Sequence, residues 1–185
     1  MITARKFALP LVIVTAAALL GGCEASVSTG DDNVNAEDIT SEITSGYKKQ
    51  TSLELSDLKC EDVEAKVDAT FTCTASNSAD VSLDFEGKIN EVDENGDNVK
   101  LHWEVAKATA GPTTFTSTAL DALQGIGRAV KSIECPGGTE IAKGNEIECV
   151  GTMDNGDKRQ VKITMKNGDG DIHVELLGAA QPTGE

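Results

Sequence analysis

Four of the five cysteines stand in two pairs of nearly equal spacing. Cys60 and Cys73 are 13 positions apart, and Cys135 and Cys149 are 14 apart. The same succession of patterns surrounds each pair, which points to one structural unit used twice. Each half opens on a helical pattern. In AEDITSEITSGYKKQ, Ile39, Ile43 and Tyr47 recur at i, i+4 and i+8 on one face. Asn35 can cap the start, Glu37 and Asp38 suit the positive end, and Lys48 and Lys49 suit the negative end. In TALDALQGIGRAVK, Thr118 is the expected cap, and Leu120, Leu123, Ile126 and Val130 form the apolar stripe. Gly125 and Gly127 weaken this second helix by about 1 kcal/mol each, so packing has to hold it.

After each helix comes a strand that ends in cysteine, LELSDLKC and KSIEC. A second strand carries the next cysteine. Val67, Ala69, Phe71 and Cys73 alternate onto one face of VDATFTCTA, and Ile147 and Cys149 do so in NEIECVG. Two further alternating strands close each half: VSLDFEGKI with NVKLHWEV, then RQVKITM with DIHVEL. Alternation of this kind belongs to antiparallel sheets with one wet face. The turns DENGD, MDNGDK and NGDGD carry Asn-Gly or Asp-Gly, which favour tight hairpins. They lack the twelve-residue spacing and closing Glu of a calcium hand. The expected fold is therefore α+β. Two tandem units each place one helix before a mostly antiparallel four-stranded sheet with an internal disulfide.

Only the pairings Cys60–Cys73 and Cys135–Cys149 respect the repeat. A unit of about 70 residues has a marginal core, and a disulfide closing a loop of about 15 residues contributes about 3 kcal/mol in the chain-entropy model. A four-thiolate zinc site normally uses cysteines two to four apart, which these are not. No metal and no cofactor is expected.

The fifth cysteine has a different chemistry. Arg5 and Lys6 precede an apolar run of 14 residues, Phe7 to Leu20, too short for a spanning helix of about 20 apolar residues. The run ends in Leu20-Gly21-Gly22-Cys23, which resembles the lipobox of bacterial lipoproteins. That resemblance implies cleavage before Cys23, lipidation of its thiol, and attachment to the extracytoplasmic face of the cell membrane, where disulfides persist. The expected organisation is a signal peptide at 1–22, a lipidated Cys23 with a flexible acidic tether at 23–35, and a first unit at 36–105. A linker at 106–116, a second unit at 117–178 and a tail at 179–185 follow.

The formal charge is −15, and −17 once Arg5 and Lys6 leave with the signal. Nucleic-acid binding needs clustered Lys and Arg to neutralise phosphates, so it is excluded. The acidic balance suits a basic partner or plain solubility. Neither a Gly-x-Ser-x-Gly elbow nor a His-Glu-x-x-His helix is present, and every mature thiol is assigned to a lipid or a disulfide. The expected function is that of a tethered, non-catalytic binding module for an unknown protein or envelope ligand. A structural envelope protein is the alternative.

The segment from Ile133 to Leu176 resembles a small domain common in actinobacterial secreted proteins and lipoproteins, domain-of-unknown-function family 4333. The residues that carry the resemblance are Cys135-Pro136, Gly144, Ile147 to Cys149, Asn155-Gly156 and Val161 to Ile163. The first half departs from the pattern, with Glu61 after Cys60, and reads as a divergent copy. The family has no established activity, so the resemblance implies fold and location. In architecture alone, tandem helix-plus-four-strand units with disulfides are similar to the secreted β-lactamase inhibitory protein, an inhibitor whose sheets clamp an enzyme.

The two histidines occupy equivalent places, in Leu101-His102-Trp103-Glu104 and Ile172-His173-Val174-Glu175. Alternation turns Leu101, Trp103, Ile172 and Val174 inward, leaving His102 with Glu104 and His173 with Glu175 on the outer faces. These four are the candidate partner contacts. Two ligands per strand are too few for zinc.

Overall fold

The computed structural model describes residues 23–29, 33–95, 97–167 and 171–179. The expected signal peptide lies outside them. Over the described residues the architecture is α+β: two helices, two larger antiparallel sheets and a two-stranded ribbon.

The first helix, α1 (Ala36–Thr51), follows the short strands β1 (Cys23–Ser28) and β2 (Asn33–Val34). Its predicted stripe is buried: Ile39, Ile43 and Tyr47 face the core. Asn35 holds the cap position without a side-chain bond. The Asp62 carboxylate accepts from the Ala36 N–H at 2.7 Å instead, anchoring the helix start from across the fold. Gly46 is required by a close approach, because a Cβ there would lie 2.6 Å from Cζ2 of Trp103.

The strands β3 (Leu55–Cys60), β5 (Thr70–Asn77), β6 (Val81–Val92) and β7 (Asn98–Ala110) follow, with β4 (Val63–Glu64) paired to β2 as the ribbon. The first sheet runs β1-β7-β6-β5-β3. Phe71, Cys73, Leu83, Phe85, Ile89, Leu101 and Trp103 turn one face toward α1 and form the first core. Phe85 is its centre, meeting Tyr47 at 6.0 Å and Trp103 at 5.8 Å, both edge-on, the arrangement that ring quadrupoles favour. Burial raises the Tyr47 phenol, opposed by its bond with Asn77. Asn77 is itself 5% exposed. It donates to the Tyr47 hydroxyl at 2.9 Å and accepts from the Ala79 and Val81 N–H groups, so it fixes the β5–β6 turn.

The second helix, α2 (Thr116–Gly125), precedes β8 (Val130–Glu134), β9 (Thr139–Glu140), β10 (Glu146–Met153), β11 (Lys158–Met165) and β12 (Ile172–Ala179). The second sheet runs β12-β11-β10-β8. Its core gathers Phe115, Ala119, Leu123, Ile133, Ile147, Cys149, Val161, Ile163 and Met165. The helix begins two residues before Thr118, with Phe115 at the cap position. It also ends before Ile126 can join the stripe, leaving Ile126 67% exposed. Gly127 at φ +78° closes it, with Gly127 N–H donating to Gln124 and Arg128 N–H to Leu123. That is a Schellman ending, so Gly127 terminates the helix, and Gly125 is its last residue and not part of its interior.

Further expectations are corrected. Cys23–Ser28 does not belong to a free tether; it is β1, paired residue for residue with β7 from Trp103 to Asn98. Cys23, Ala25 and Val27 alternate with Glu24, Ser26 and Ser28, and the first three pack on the first core. The start of the expected linker, 106–110, is the end of β7, whose Ala110 lies in the second core. Because β9 also pairs with β7, the first sheet has six strands. Val67, expected inward, is 47% exposed because β5 begins only at Thr70.

The remaining linker is clamped. Asp80 accepts from the Thr113 N–H at 2.8 Å and the Thr113 hydroxyl at 2.6 Å. The Asp80 carbonyl accepts from the Gly111 N–H at 2.8 Å and the Thr114 hydroxyl at 2.6 Å. A Cβ on Gly111 would lie 2.4 Å from the Asp80 side chain, so glycine is needed here too.

Candidate functional site

Each sheet turns its apolar residues toward a helix and its alternate residues toward solvent, and the candidate contacts lie on those open faces. On the first sheet, Thr72, Glu86 and Glu104 form one cross-strand row. Lys88, His102 and Glu24 form the next. Glu86 and Glu104 are therefore directly opposed carboxylates, an arrangement that costs stability. His102 is half-buried between Lys88 and Glu24. It shares its face with Glu104, as the alternation predicts, but its direct neighbours come from β1 and β6.

On the second sheet the rows are Glu148, Lys162 and Glu175, then Glu146, Thr164 and His173. Lys162 bonds Glu146 at 2.7 Å. That hydrogen bond raises the Lys162 ammonium above its usual range, with the charges of Glu146, Glu175 and Glu148 adding to it. His173 Nε2 stands 3.4 Å from Glu175 Oε1 on the open face of this sheet. His102 and His173 lie on different sheets, and the structure does not gather them into one site. Among the described residues no cluster of three or more His, Cys, Asp or Glu is placed to hold a metal ion.

Cys60 bonds Cys73 and Cys135 bonds Cys149, with Cα separations of 4.4 Å and 4.3 Å. The first bridge joins direct cross-strand partners on β3 and β5. Cys23 is the free cysteine among the described residues. It is half-buried at the start of β1, and the Gln50 side-chain amide donates to its sulfur. Sequence reasoning missed Glu24, Gln50, Glu86 and Lys162. Their roles come from cross-strand register and helix placement, and no local pattern announces either.

Fold and faces together define a disulfide-bonded α+β protein with two antiparallel sheets, each covered by a helix on one side and open on the other. Residues 110–170 match a family model described as "Domain of unknown function (DUF4333)". The match takes in α2, β8 to β11 and the Cys135–Cys149 bridge. No curated protein and no solved structure matches the chain. Among the described residues no helix is long and apolar enough to cross a membrane.

Proposed function

We propose that the chain is a lipid-anchored, extracytoplasmic binding module without catalytic activity, presenting its open sheet faces to a basic protein or envelope ligand. The observation that carries this reading is the Glu86–Glu104 opposition at the centre of the first open face. Two carboxylates facing each other across adjacent strands are kept at a cost of a few tenths of a kcal/mol, which a cationic partner group would offset. The second face repeats the theme with three carboxylates around Lys162. The anchor part of the reading rests on Leu20-Gly21-Gly22-Cys23. The first unit is a divergent copy of the second. Support for this lies in the shared order of helix, cysteine strand, short strand and three long strands, and in the equivalent bridges.

Photo-cross-linking from position 72, beside Glu86, or position 164, beside His173, in the native envelope tests the reading. One saturable adduct is expected, lost on Glu86→Lys with Glu104→Lys and weakened by His102→Ala with His173→Ala, while the fold is retained. No saturable adduct at either position would overturn it and favour a structural envelope role.

A further inference from the structure

We infer that the lipid on Cys23 leaves directly from the folded protein. The Cys23 end of the first sheet and the last turn of α1 then rest on phospholipid headgroups with no tether between. The inference rests on the anchor reading above. Cys23 is the first residue of a six-residue strand laddered to β7, and its direct partner is Trp103. Directly opposed side chains share a face with Cβ atoms about 5 Å apart. The Cys23 sulfur meets Gln50, and the Trp103 ring meets Gly46. Gly46 and Gln50 are one helical turn apart on α1. Sulfur and indole therefore occupy one crevice between β1 and α1, at the wall of the first core.

Two observations show that the crevice is built into the fold. Val27, two residues beyond Ala25 on the same side of β1, is 8% exposed, so β1 is core structure. Trp103 is 2% exposed, and among the described residues its Nε1 is the buried side-chain polar atom without a hydrogen-bond partner. The part of the ring against Gly46 is Cζ2, with Cη2 and Cε2 beside it. A carbonyl of an acylated N-terminus or of a glyceride ester at Cys23 is the chemistry this donor lacks. The same turn of α1 presents the exposed Lys49, a cation suited to lipid phosphates, while Lys48 beside it is paired with Glu54 at 2.8 Å. A flexible twelve-residue tether would hold the domain about 20 Å away; a laddered strand holds it at the surface.

Trp103 is the single tryptophan, which makes the geometry readable. The full chain, isolated with its lipid, is reconstituted into phosphatidylcholine vesicles carrying a phospholipid with a dansyl headgroup, which accepts tryptophan emission by energy transfer, and tryptophan emission is compared with that in unlabelled vesicles. Loss of most of the emission is expected. A variant with a Gly/Ser insertion of about twelve residues between Cys23 and Glu24 should stay anchored and regain its emission. A protein that is lipidated by mass and floats with the vesicles, yet keeps its emission, overturns the inference. So does equal quenching of the insertion variant, which would mean that another face meets the bilayer. A protein that carries no lipid and does not float overturns the anchor reading itself.

Discussion

Gly87→Ala has a sign that the packing of the first core decides. Gly87 lies on β6 directly opposite Phe71 of β5 and Trp103 of β7. A Cβ at Gly87 would stand 2.1 Å from Cζ of Phe71, and 2.5 and 2.6 Å from its Cε atoms. Carbon atoms prefer about 3.5–4.0 Å, so the Phe71 ring has to retreat by roughly 1.5 Å from its rotamer and its contacts. In open space a Gly-to-Ala change at an ordinary strand position stabilises by about 0.4–1 kcal/mol through the unfolded chain. Overpacking reverses the sign and costs about 1–3 kcal/mol. Urea unfolding of the oxidised chain, followed by Trp103 emission, reads the difference as a lower midpoint at unchanged slope. Phe71→Ala alone costs about 3–5 kcal/mol by leaving a cavity. In the double variant the new methyl has room, so the combined loss falls short of the sum by 1 kcal/mol or more, within the about 0.5–3 kcal/mol found for touching residues. Stabilisation by Gly87→Ala, or strict additivity with Phe71→Ala, would refute the reasoning.

Replacing Cys135 and Cys149 by Ser should cost about 3 kcal/mol in the same assay, and peptide mapping without reductant should recover Cys60 with Cys73 and Cys135 with Cys149. Ile126→Ser should change stability by less than about 0.5 kcal/mol, whereas Leu123→Ala costs about 2–5 kcal/mol; the reverse order would restore the longer stripe. The Thr113 hydroxyl and N–H hold the Asp80 carboxyl below its usual range. A folded-state value below the unfolded one means that its contribution is present above the unfolded value of about 3.9 and fades as pH falls through the folded one. Asp80→Asn should therefore flatten the fall of melting temperature with acid, and an unchanged acid limb would show that the clamp does not depend on the charge.

What could be read from the amino-acid order was the part governed by local periodicity. Ile39, Ile43 and Tyr47 lie on one helix face because 3.6 residues make a turn, whatever surrounds them. The strands around Phe71, Leu83, Ile147 and Ile163 alternate because a pleated chain sends neighbours to opposite faces. Cysteine spacing then pointed to two bridges within the halves, and the structure contains those two. The elements that escaped depend on residues far away. Glu24 to Ser28 is too polar to look like a strand, yet it becomes one because β7, 70 or more positions later, offers an open row of backbone groups and room for Val27. The second helix stops at Gly125 because Gly127 adopts a positive φ and β8 must start, so Ile126 is left in water despite its place in the stripe. The same holds for the candidate site. Alternation put His102 with Glu104, and His173 with Glu175, on wet faces. Only strand register set Glu86 against Glu104, Lys162 among three carboxylates, and Cys23 beside Trp103, because hydrogen-bonded pairing joins positions that the chain itself keeps apart.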